Sequence, residues 1–94
     1  MKAKQWRQLQ AKLSPETKAM LARLRGCETR GMAFPHNYRS RGHHYGAYQY
    51  TWGPGSAGAR AGFKVRPDQA SPAEQDVRTA RFYPSHRSEW ACRA

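Results

Sequence analysis

The middle of the 94-residue chain brings aromatic, histidine and arginine side chains together in one short segment. Tyr38 precedes Arg39, and the mixture continues as far as Trp52. Unpaired RNA bases stack on aromatic rings, and phosphates attract guanidinium groups, so this combination is typical of proteins that bind single-stranded or looped RNA. No RNP1-type motif or GXXG loop is present. We therefore expect binding by shape and charge, with little reading of base sequence.

The candidate residues for binding RNA or another anionic partner are cations near the N-terminus, together with cations, histidines and aromatic residues of the middle segment. They are Lys2, Lys4, Arg7, Arg23, Arg25, Arg39, Arg41, His43, His44, Tyr45, Tyr48, Tyr50, Trp52, Arg60, Lys64 and Arg66. A competing interpretation assigns three of the aromatic residues, Tyr48, Tyr50 and Trp52, to the core face of a hairpin, because the chain offers little else for a core. Both interpretations are open at this point.

Two cysteines and four histidines provide enough atoms for a zinc site, but their spacing does not favour one. Structural zinc sites usually take ligands in pairs two to four residues apart, whereas Cys27 and Cys92 lie near opposite ends of the chain. We predict no metal and no cofactor. Catalysis is not expected either, because six scattered acids and a thin core do not hold an acid, base or nucleophile in position.

The N-terminal segment contains no apolar run of the kind that secretory signals or membrane spans require. We therefore predict a protein without a membrane span that stays inside the cell, either mitochondrial or cytoplasmic, and is not secreted. A disulfide between the two cysteines requires an oxidising compartment, so free thiols are favoured.

Charge is distributed unevenly: 17 Lys and Arg oppose 6 Asp and Glu, for a formal net charge of +11. The whole excess precedes Asp68, and the last third of the chain is neutral. This asymmetry predicts that the first two thirds lie on an anionic partner, while the end packs on protein or faces solvent.

Helices are predicted on both sides of the middle segment. Trp6 and Leu9 have helical spacing near the N-terminus, and Ser14 followed by Pro15 is a favourable helix start, with Gly26 as the stop. A second start lies at Ser71, where a glutamate three residues later can complete a capping box. This second helix would run from Pro72 to about Phe82.

The segment between the helices alternates from Tyr45 to Trp52 as a short strand would, and the partner strand is predicted at residues 63–66. Residues 53–62 would form a flexible loop between them. The predicted class is a small, mostly irregular α+β fold in three segments. These are a basic helical segment (1–30), an extended Gly-, aromatic- and Arg-rich segment with the hairpin (31–67), and a neutral helix and tail (68–94).

Aliphatic core formers are scarce, since Leu, Val and Phe together number nine and Ile is absent. Such a composition with a high net charge predicts little independent core and folding that depends on a partner.

The favoured function is a non-catalytic structural subunit of a ribosome-like ribonucleoprotein, in contact with RNA and neighbouring protein subunits and without a small-molecule substrate. The alternative is an accessory subunit that staples a large protein assembly, such as a cytoskeletal or axonemal lattice or a mitochondrial complex. A third and less favoured interpretation is a free-standing DNA-binding or regulatory protein, which would need a more stable core than the nine Leu, Val and Phe residues provide.

Overall fold

Helices are the main regular elements of the fold, in a computed structural model that describes residues 1–94. Helices make up 53% of the residues, and there is no sheet. In chain order the helices are α1 (Ala3–Ala11), α2 (Pro15–Glu28), α3 (Ala57–Arg60) and α4 (Pro72–Phe82). Single 3₁₀ turns lie at Pro35–Asn37, Pro67–Gln69, Tyr83–Ser85 and Arg87–Glu89. The predicted α+β class is therefore wrong. None of the helices has the length and apolar character that a membrane span needs.

Both Ser-Pro helix starts are confirmed. The Ser14 hydroxyl accepts a hydrogen bond from the Thr17 N–H, and the Ser71 hydroxyl accepts one from the Glu74 N–H, each at 3.1 Å. These bonds satisfy backbone donors that lack a partner within the first helical turn. The predicted capping box does not form, because the Glu74 carboxylate instead accepts a hydrogen bond from Arg78 at 2.7 Å. Helix α2 continues past the predicted stop at Gly26.

The predicted strand around Tyr48 is a tight chain reversal. Tyr45 and Tyr50 exchange backbone hydrogen bonds of 2.9 and 3.0 Å, and Gln49 adopts a left-handed conformation with φ 52° between them. The turn directs both Tyr48 and Tyr50 into the interior, whereas Trp52 stays 37% exposed. The strand prediction failed because apolar residues at every second position can also follow from a turn that folds back on itself.

The predicted hairpin partner and loop also differ from expectation. Residues 63–66 form no strand, and the segment assigned to a flexible loop contains α3. The hydroxyl of Ser56 caps this short helix by accepting a hydrogen bond from the Ala59 N–H at 3.1 Å. A Cβ atom at Gly58 would lie 2.7 Å from the Thr51 carbonyl oxygen, so glycine is required for this close approach.

The core is built mainly from aromatic side chains supplied by all three predicted segments. Its buried members are Leu21, Leu24, Ala47, Tyr48, Tyr50, Ala57, Phe63, Ala70, Phe82, Tyr83 and Trp90. Tyr50 lies at the centre, with edge-to-face contacts to Phe63 at 5.1 Å and Trp90 at 5.3 Å. The prediction of little independent core is wrong because it counted aliphatic residues and Phe, whereas one Tyr or Trp buries about 150–250 Å².

Helix α1 packs against α4 through a smaller cluster of Trp6, Ala73 and Val77. The guanidinium of Arg78 lies 4.7 Å from the centre of the Trp6 ring and 5.5 Å from that of Phe63. Because a guanidinium cation is attracted to the faces of aromatic rings, Arg78 connects α1 to the main core.

Cys27 and Cys92 form a disulfide that ties the end of α2 to the C-terminal tail. The expectation of free thiols is therefore wrong, since the fold brings the two Cα atoms within 6.0 Å of each other, a normal separation for a disulfide. Close to the bond, the indole N–H of Trp90 donates to the Tyr48 carbonyl at 2.7 Å. The tail is thus anchored by one covalent bond and one buried side chain.

Candidate nucleic-acid interface

Most of the cationic side chains have no acidic partner within the protein. Only Arg25, Arg60, Arg66 and Arg78 form ion pairs with carboxylates, so the other 13 of the 17 Lys and Arg side chains are uncompensated. Uncompensated cations on so small a surface create a positive potential that attracts anionic polymers.

Residues 39–44 form an exposed turn that we call the basic loop. It presents Arg39, Arg41, His43 and His44, all of them exposed. The Ser40 N–H donates to the His44 carbonyl at 2.9 Å, and the Ser40 hydroxyl accepts from the His44 N–H at 3.2 Å. Because these bonds close the turn, the loop presents its side chains from a defined backbone.

Helix α1 supplies a second group of free cations. Trp6 and Leu9 face α4, which leaves Lys4 and Arg7 on the solvent side, one turn apart. Lys2 is exposed at the start of this helix, and Arg23 and Lys64 are exposed elsewhere on the protein.

Tyr48 and Tyr50 lie in the core, where no base can stack on them. The Tyr48 hydroxyl donates to an Asp76 carboxylate oxygen at 2.6 Å, and the Tyr50 hydroxyl shares a hydrogen bond of 2.9 Å with Thr79. Burial raises the pKa of both phenols well above their usual value. Of the competing interpretations, the core assignment therefore holds for Tyr48 and Tyr50, and the half-exposed Trp52 stays at the surface.

Three of the candidate arginines are engaged within the protein. Arg60 pairs with Glu89, and Arg66 holds Asp68 with two hydrogen bonds of 2.6 and 3.0 Å. The Arg66 guanidinium also lies 4.8 Å from the Tyr45 ring centre, which occupies one face of that ring. Arg25 lies 3.5 Å from the carboxylate of Asp76.

Asp76 is the centre of a polar cluster that sequence reasoning missed. Its carboxylate contacts Gln10 at 2.7 Å, Tyr48 at 2.6 Å and His36 at 3.1 Å, and Arg25 lies 3.5 Å away. Burial by itself raises the pKa of Asp76, but the three hydrogen bonds and the Arg25 charge outweigh it and leave the pKa below its usual value. The only sign of this cluster in the sequence was the position of Asp76 on the inner face of α4.

The His36–Asp76 contact resembles the orienting half of an acid–base site, but this cluster joins elements of the fold. Every polar side-chain atom in the interior has a hydrogen-bond partner. No three His, Cys, Asp or Glu side chains come together as metal ligands, and both cysteines are in the disulfide. The cluster therefore connects α1, α2, the turn at His36 and the Tyr48 reversal to α4.

The fold and surface together define a small, basic, disulfide-bonded helical domain. No protein-family model, curated protein sequence or solved structure matches the chain.

Proposed function

We propose that this protein is a non-catalytic, RNA-binding structural subunit of a large ribonucleoprotein assembly. The observation that supports this most is the set of 13 cations without an acidic partner, four of which are Lys4, Arg7, Arg39 and Arg41. In this proposal the solvent face of α1 and the basic loop contact phosphates. Neighbouring protein subunits would contact the neutral C-terminal third.

In this proposal the protein is folded before it binds RNA. A compact fold with a radius of gyration of 12.0 Å presents a preformed surface, so RNA binding does not have to supply the free energy of folding. The proposed location is intracellular. The disulfide requires an oxidising environment, so within this proposal it disfavours the cytosol, which keeps thiols reduced.

A second candidate function, stapling of a large protein assembly, is favoured by an exposed apolar patch. Phe34 is 84% exposed and Met32 43% exposed, beside a turn that begins at Pro35. Large exposed apolar side chains in one place are more typical of protein interfaces than of RNA contacts. In this alternative the basic surface would face acidic protein side chains.

Charge reversal of α1 tests the proposed RNA contact. We expect the double variant Lys4→Glu with Arg7→Glu to bind single-stranded RNA about tenfold more weakly, because two phosphate contacts become repulsive. The slope of log K against log salt concentration should become shallower by about 1.4 units. Fluorescence anisotropy with a labelled RNA measures the affinity and its salt dependence. Salt concentrations of about 50–200 mM cover the range in which phosphate contacts are sensitive to salt.

The matched control is the double variant Arg81→Glu with Arg87→Glu, which reverses two exposed cations in the neutral third of the chain and changes the net charge equally. This control should bind RNA within about twofold of the unmodified protein, since both residues lie outside the proposed interface. Equal weakening by the two double variants would contradict an interface on α1.

A further inference from the structure

The largest cavity of the protein is an open cleft of about 490 Å³ between the end of α2 and the basic loop. The other cavities measure about 250, 300 and 380 Å³. A volume of this size lies within the range of sites that hold small organic ligands. Its lining includes Arg30, Tyr38 and Arg41, of which Arg30 was not among the predicted binding residues.

Two arginine residues without an ion pair line this cleft. Arg30 comes from the turn after α2 and Arg41 from the basic loop, and neither forms an ion pair within the protein. Two guanidinium groups from different segments at one cleft suit a phosphate, since each presents several N–H donors in a planar fork.

Tyr38 adds an aromatic ring that is held by a fixed backbone. Its N–H donates to the Pro35 carbonyl at 3.1 Å, and its carbonyl accepts from the Gly46 N–H at 2.7 Å. The ring is partly exposed, and its hydroxyl makes no hydrogen bond to the protein. A base can therefore stack on Tyr38 without displacing a core contact, which is not true of Tyr48 or Tyr50.

One acid, Glu28, also lines the cleft. Partial burial raises its pKa, and the backbone N–H of Cys92 acts in the opposite direction. Glu28 also lines a smaller cavity together with Trp90 and Ala91 of the C-terminal tail. The two arginines leave the cleft with a positive balance even when Glu28 is ionised.

We propose that the cleft takes one unpaired nucleotide of an RNA strand, with its base stacked on Tyr38 and its phosphate held by Arg30 and Arg41. This inference rests on the proposed RNA binding and narrows it to single-stranded or looped RNA. Bases within a duplex are stacked on each other and cannot reach Tyr38, so the cleft favours unpaired segments.

The test compares a single-stranded RNA with a duplex of the same length by fluorescence anisotropy. We expect Tyr38→Leu to weaken binding of the single strand about tenfold and binding of the duplex less than about twofold, because only the single strand loses a stacked base. Tyr38→Phe keeps the ring and should bind both RNAs within about twofold of the unmodified protein. Circular dichroism melts of the variants verify that each one is folded.

The double variant Arg30→Gln with Arg41→Gln keeps the test decisive if Tyr38→Leu does not fold, since both arginines are exposed. This double variant should weaken binding of the single strand about fivefold and should weaken binding of the duplex less.

Each outcome separates this inference from the proposed function. If the unmodified protein binds both RNAs and the Tyr38 and arginine variants weaken them equally or not at all, the nucleotide site is wrong while RNA binding stands. If the unmodified protein binds neither RNA, the proposed function itself is wrong.

Discussion

Removal of the Cys27–Cys92 disulfide is expected to lower the free energy of unfolding by about 4 kcal/mol. The bond joins residues 65 positions apart, so its loss restores a large loop entropy to the unfolded chain. A domain of this size has about 5–15 kcal/mol of stability in total, so the loss is a large fraction of it. Urea denaturation of the oxidised protein and of the double variant Cys27→Ser with Cys92→Ser measures the difference.

The same experiment in dithiothreitol provides the control for this prediction. Reductant should destabilise the unmodified protein by about the same amount and leave the Cys-to-Ser double variant unchanged. A difference below about 1 kcal/mol between the oxidised protein and the double variant would show that the bond does not constrain the fold as described.

Asp76→Asn is expected to cost about 3 kcal/mol, the second largest effect. The substitution removes the charge that Arg25 and His36 face, and an amide cannot accept from Gln10, Tyr48 and His36 together. The expected loss is moderate for a buried pair because the side chain of Arg25 is 26% exposed. Thermal melts followed by circular dichroism measure the loss.

The pH dependence of stability provides a second measurement of Asp76. Because the fold lowers its pKa, its ionised form stabilises the protein above the unfolded pKa of about 3.9, and this contribution disappears as the pH falls through the folded value. The stability difference between the unmodified protein and Asp76→Asn should therefore shrink below about pH 4. Glu16→Gln, an exposed acid without an ion pair, is the control and should cost less than about 1 kcal/mol. A difference that does not change with pH would contradict the role of the Asp76 charge.

Local signals in the sequence were sufficient for the two Ser-Pro helices and insufficient for the chain between them. Ser14 and Ser71 each cap their own helix, so their effect is readable within a few residues. The reversal from Tyr45 to Tyr50 depends instead on packing against α4 and on the left-handed Gln49. Alternation of apolar residues alone therefore predicted a strand where a turn forms.

Charge in the sequence indicated the general position of the proposed binding surface, but it did not indicate which residues are exposed there. Exposure of Arg39, Arg41, His43 and His44 agrees with their assignment to a Gly-rich basic segment. Tyr48 and Arg25 belong to the same residue types as the exposed candidates, but a long-range contact with Asp76 buries Tyr48 and leaves Arg25 only partly exposed. Arg30 was missed because nothing near it in the sequence indicated that the basic loop would lie beside it.

A core that forms without a partner makes a third function, a free-standing DNA-binding or regulatory protein, physically possible. A free-standing DNA-binding or regulatory protein was disfavoured because nine aliphatic and Phe residues offered too little core. The aromatic core removes that objection. RNA remains the partner in our proposal, with its phosphates in contact with the uncompensated cations of α1 and the basic loop.

The most direct test of the central claim is purification of the tagged full-length protein from its own cells, with and without ribonuclease, followed by identification of what stays bound. Our account predicts ribonucleoprotein components in the untreated sample and their loss after RNA digestion. A discrete set of protein partners that survives digestion would contradict it and would identify the basic surface as complementary to an acidic protein.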